Sequence, residues 1–185
     1  MITLDGYSLD YFGLIIQPGH EHAILPSTVD RTLAISGKHG LWDFGADLGP
    51  RSFSFPLAWA YELNRVTLQQ RIRQFAAFLL NSSGRPRSIK LEFDYEPGIY
   101  YVVRLVGNLV PERVFSLAFF KLPLIAFEPF AFGQEHNSDI TITSSPSTLT
   151  IVSSGNVKTE PTITLINTGV NTIHGLTLTN EYEVE

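Results

Sequence analysis

Apolar and polar positions alternate with period two along most of this chain, so it reads as mainly β. Residues 1–16 predict a short strand pair: Leu4, a turn signal at Asp5-Gly6, then Leu9, Tyr11 and the apolar run from Phe12 to Ile16. Residues 27–36 alternate, with Val29, Arg31 and Leu33 on one face. Phe53, Phe55 and Leu57 resume the pattern after Arg51. Ile89, Leu91 and Phe93 alternate with Lys90, Glu92 and Asp94; Glu96-Pro97-Gly98 turns the chain, and Ile99, Tyr101, Val103 and Leu105 lead back. Further strands are expected from Arg113 to Leu122 and from Pro123 to the segment Phe127-Glu128-Pro129-Phe130.

Helical period occurs once. In 67–81 the residues Leu68, Ile72, Phe75, Ala76 and Leu79 share a face, and Gln69, Gln70, Arg71, Arg73 and Gln74 cover the rest. Thr67 with Gln70 three residues on matches a capping box, and Gly84 fits a stop. This predicts an amphipathic helix lying on a sheet.

Between the strands at 27–36 and 51–57 the character changes. Gly37, Gly40, Gly45 and Gly49 interleave with Trp42 and Phe44, which predicts a flexible excursion at the tip of a long hairpin. Large aromatics flanked by glycines there would be exposed in a monomer, and exposed aromatic surface signals a partner. Folding back onto the parent domain is the competing reading.

After residue 133 the chain is rich in Ser and Thr and poor in large apolar groups. Residues 134–159 read as a linker with a possible strand at 149–152. Strand-like blocks follow at 162–166 and 173–179, around a turn at Asn167-Thr168-Gly169. About thirty residues cannot bury a core of their own.

Composition narrows the function. The chain has 185 residues, 44% hydrophobic and 17% charged, and can build a conventional core. The absence of cysteine removes disulfides, thiolate metal sites and cysteine nucleophiles. No apolar run approaches the ~18 residues of a membrane span, and the N-terminus lacks a signal-peptide pattern, so a soluble, non-secreted protein is expected. Through residue 133 there are 12 basic and 12 acidic residues, which offers no footprint for holding nucleic acid.

Candidate chemistry is sparse. His20 and His22 could reach one metal ion, but no third ligand is nearby, and they read as surface histidines after a turn. Ser36-Gly37-Lys38-His39-Gly40 lacks the spacing of a phosphate loop. Glu92 and Asp94 could form an acid pair, yet they occupy the polar side of a strand, which is normally solvated. Arg71, Arg73, Arg85 and Arg87 form one basic cluster, suited to acidic groups on a neighbouring subunit. No catalytic activity, metal or cofactor is expected.

The order of features resembles the distal tail proteins of long-tailed phages and prophages with flexible tails. The resembling residues begin with Leu9-x-Tyr11-Phe12-Gly13-Leu14 and a lone Arg31 in a strand. The glycine-rich arm follows, from Ser36-Gly37-Lys38-His39-Gly40 through Asp43-Phe44-Gly45 to Gly49-Pro50-Arg51. Then come the helix end Phe75-Ala76-Ala77-Phe78-Leu79-Leu80, the run from Pro86 to Asp94, and Phe127-Glu128-Pro129-Phe130.

This resemblance spans 1–133. It implies a β-sandwich with one helix and a long β-hairpin arm, six copies in a ring, and a hub joining tail tube to tip, baseplate or adhesion proteins around a DNA channel. The location implied is the virion tail. By position, Gly37, Lys38, His39, Gly40, Leu41, Trp42, Phe44 and Arg51 would be interprotomer contacts. Residues 160–185 resemble the start of a galectin-like C-terminal β domain. The alternatives are a tail tube subunit and a carbohydrate-binding β-sandwich.

Overall fold

Asp5 and Gly6 both adopt positive φ, at 50° and 78°. Such a pair closes a two-residue hairpin whose twist matches its strands, and here it joins β1 (Ile2–Leu4) to β2 (Tyr7–Ser8) with Leu4 opposite Tyr7. The Asp5 carboxylate then accepts from the Lys90 amide at 2.7 Å and pairs with Arg87 at 2.6 Å. That fixes the hairpin against β8 (Ile89–Phe93). These details come from a computed structural model that describes residues 1–60, 64–153 and 155–181.

The remaining strands of the first unit, Met1–Asp139, are β3 (Ile15–Ile16), β4 (Glu21–His22), β5 (Thr28–Leu33), β6 (Trp42–Leu48), β7 (Arg51–Trp59), β9 (Tyr100–Leu105), β10 (Glu112–Val114) and β11 (Leu117–Ala126). Nine of the strands form one antiparallel sheet, ordered β2-β1-β8-β9-β11-β7-β3, with β10 on β11 and β4 on β7. β5 and β6 form a separate two-stranded ribbon. The large sheet turns over on itself where β9 meets β11 through only Leu105–Leu124 and Arg104–Ile125. Inward residues of its two limbs then share one core: Phe53 lies 5.1 Å from Tyr101 and 6.2 Å from Phe93. The mainly β fold expected from alternation is what forms.

Four local expectations are corrected. Residues 9–12 coil into a 3-10 helix instead of a strand, burying Leu9 and Phe12 and ending on Gly13 at φ 67°. The helix α1 runs Arg65–Phe78, starting earlier and stopping sooner than its apolar stripe suggested. Asn64 is the better cap: its Oδ1 accepts from the amides of Val66 and Thr67, both at 2.9 Å, so Thr67 is inside the first turn. Leu68, Phe75 and Leu79 are buried as expected, whereas Ala76 is exposed.

The third correction concerns Pro123, which does not divide two strands but sits inside β11, opposite Ser54. A proline is tolerated where its missing N–H faces no partner. The Pro123 carbonyl, on the same side as its nitrogen, accepts from Val106 beyond the end of β9. Pro56 in β7 uses the same device: its carbonyl takes the Gln17 amide in the gap between β3 and β4.

The second unit, Ile140–Glu185, has neither helix nor strand among its described residues, and each of them is exposed. Among those residues, 149–152, 162–166 and 173–179 are drawn as irregular chain. Residues 182–185 of the last expected segment lie outside the described residues.

Candidate assembly surface

The fourth correction makes the site. The sequence predicts a flexible tip over 36–49, but half of that segment is strand β6, which pairs with β5 from Thr28–Leu48 to Leu33–Trp42. The arm is therefore a ribbon, and Arg51 opens β7 of the main sheet instead of pairing back with β5. All residues of β5 and β6 are exposed. At its root Pro26 and Gly49 are buried, and the Gly49 amide donates to the Ser27 carbonyl at 2.7 Å. A Cβ on Gly49 would lie 3.1 Å from that oxygen, so glycine permits the two chains to converge.

The register breaks once. Asp30 faces Ala46 and Thr32 faces Asp43, so Arg31 alone opposes both Phe44 and Gly45. This is a β-bulge, with Gly45 at φ 93° and its amide bonded to the Asp43 carboxylate at 2.8 Å. A bulge changes the side on which the following residues emerge. Without it Trp42, Phe44, Ala46 and Leu48 would share a face. With it, Trp42 and Phe44 join Val29 and Leu33 on one face, while Thr28, Asp30, Thr32, Asp43, Ala46 and Leu48 occupy the other. Arg31 and Asp47 form an ion pair on the apolar face.

Most of the expected contact residues lie together on this arm. Gly37 and Gly40, each at φ 83°, shape the loop that holds Lys38 and His39. The Lys38 Nζ sits 3.5 Å over the Trp42 ring, and Trp42 is 49% exposed. Phe44 is 66% exposed, and Leu41 is exposed beside them. Arg51 is placed differently: it points into its own domain, donating to the Tyr101 hydroxyl at 3.2 Å and lying within 3.5 Å of the Ala23 carbonyl. It braces the arm's root from inside.

The weaker candidates settle elsewhere. His20 and His22 stack at 5.7 Å and continue into Phe53, Phe55 and Phe93, forming an aromatic column. Beside it burial raises the Tyr95 phenol, helped by the Glu96 and Asp94 charges. Glu92 accepts from the Thr3 hydroxyl at 3.0 Å. Asp94 is held below the ordinary carboxylate range by its bond to the Met1 amino group at 2.5 Å. A carboxyl lowered in this way is a poor proton donor at neutral pH. Sequence reasoning missed Phe115, at φ 56° and 78% exposed on the two-residue turn between β10 and β11.

Residues 7–126 match the family described as phage tail protein, RIFT-related domain. The chain belongs to this family. Its fold matches the crystal structure of the SPP1 Dit (gp 19.1) protein, described as a paradigm of the hub adsorption apparatus in phages infecting Gram-positive bacteria. The TM-score is 0.60 at 16% identity, over 72% of this chain and 51% of that one. This chain thus spans about half the length of that protein. No curated relative matches the sequence. The molecule is a structural protein of a phage tail with the distal-tail fold.

Proposed function

We propose that this protein is the distal tail hub of a phage or prophage: a ring, expected to hold six copies, joining the tail tube to tip, baseplate or adhesion proteins around the DNA channel. One observation carries the reading. The arm presents Val29, Leu33, Trp42 and Phe44 on a single face, and all four are exposed. An apolar face of this kind on a projecting ribbon is a contact for another subunit. Gly37, Lys38, His39, Gly40 and Leu41 shape and flank it, and Arg51 sets its angle. The family supports the tail assignment, and the near-balanced charge of residues 1–133 suits a channel through which DNA slides without sticking. Residues 160–185 are proposed as the opening of a galectin-like β domain, on the alternation of Thr162, Ile163, Thr164 and Leu165.

Light scattering after size exclusion, over a range of concentrations, tests the assembly. A mass near six times 20.6 kDa is expected, and Trp42→Ala with Phe44→Ala should return it to one. Full-size rings from the double variant would remove the arm from the interface. Stacking of the native rings into long tubes would instead favour a tail tube subunit.

A further inference from the structure

We infer that the arm's apolar face seats Phe44 of one copy in a groove between α1 and the sheet of the next copy. This inference rests on the assembly reading above and names the surface that receives the arm. The groove is about 180 Å³ and is walled by Ile72, Ala76 and Leu80 on the helix side and by Leu105, Leu109 and Pro111 opposite. The one lining side chain with a polar group is Trp59, whose indole N–H donates to the Phe12 carbonyl at 2.9 Å. An apolar cavity of ~150 Å³ accepts one benzene ring, so this groove has room for one aromatic side chain.

Several observations select Phe44 and a second copy as the occupant. Phe44 is the more exposed ring of the arm, while Trp42 already carries Lys38 over its face. Charges are complementary: the arm carries Asp30, Asp43 and Asp47 against Arg31 and Lys38, whereas α1 carries Arg65, Arg71 and Arg73 and no acid. The six- and seven-residue strands reach roughly 20 Å from the root at ~3.3 Å per residue, enough to lie over a neighbouring domain. The larger hollow, at Tyr7, Tyr11 and Arg87, is rimmed by the Asp5–Arg87 ion pair and would set the apolar face against charge. Knob and groove occupy different surfaces of the same chain. The contact is therefore head-to-tail, the type that closes into a ring when its rotation permits.

The chain has no cysteine, so single-cysteine variants report this contact cleanly. Leu33→Cys lies on the apolar face and leaves Phe44 intact; Thr32→Cys lies on the opposite face; Ala76→Cys lies in the groove. Each arm variant is mixed with Ala76→Cys and treated with a short bismaleimide. The Leu33→Cys mixture should give at least five-fold more mixed dimer than the Thr32→Cys mixture. In parallel, Ala76→Trp, which fills the groove at an exposed position, should abolish assembly without lowering the melting temperature. Equal yields from both mixtures, or full-size rings from Ala76→Trp, would overturn the groove and leave the ring intact. Native protein that stays monomeric at every concentration would overturn the ring and the groove together.

Discussion

Gly45 is the residue on which the arm's chemistry turns. Its positive φ lets Asp43 cap its amide and lets two residues face one, and that odd residue transfers Trp42 and Phe44 to the face of Val29 and Leu33. Inserting one alanine after Arg31 gives Phe44 and Gly45 a partner each, restores plain alternation and turns Leu33, Trp42 and Phe44 to the face opposite Val29. Assembly should then be lost by light scattering while the melting temperature stays within about 2 °C, since β5 and β6 are exposed throughout. Phe115 tells a different story at the same scale. A bulky side chain in the left-handed region costs about 1 kcal/mol, and Asn tolerates that region well. Phe115→Asn should therefore raise stability to urea by roughly 0.5–1 kcal/mol. A loss of stability would mean that the contact of its ring with Arg65, 5.6 Å away, outweighs the strain.

At the scale of elements, α1 shows how much the sequence disclosed. The apolar spacing of Leu68, Phe75 and Leu79 located the helix and its buried face, because helical period survives any tertiary context. Its start was misplaced because two cap patterns compete, and the Asn64 carboxamide reaches both Val66 and Thr67. Asn64→Ala should cost about 1 kcal/mol in urea unfolding, and Thr67→Ala distinctly less. Phe75, packed edge-on against Phe12 at 5.2 Å and Trp59 at 6.0 Å, joins helix to sheet. Phe75→Ala should cost about 3–5 kcal/mol. Strand β6 was hidden for the reason that makes it interesting: a bulge interrupts the period-two signal, and glycine-rich strands resemble loops. Pro123 misled similarly, since its tolerance depends on where a neighbouring strand stops.

For the whole molecule, the core is confined to residues between Ile2 and Ala126. A chain cut after Asp139 should melt within about 2 °C of the full chain in calorimetry; a larger drop would assign the second unit a stabilising role. The sequence by itself determined the mainly β class, the single helix, the projecting arm and the order of features that places the chain among phage tail proteins. Each of these is written in local periodicity, turn chemistry and composition, which act over a few residues. Tertiary structure alone decided that β5 pairs with β6, that Trp42 and Phe44 share a face with Val29 and Leu33, that Arg51 turns inward to Tyr101, and that an apolar groove opens beside α1. Those outcomes depend on register and on distant packing, where a shift of one residue reverses a face, and no local pattern encodes that choice.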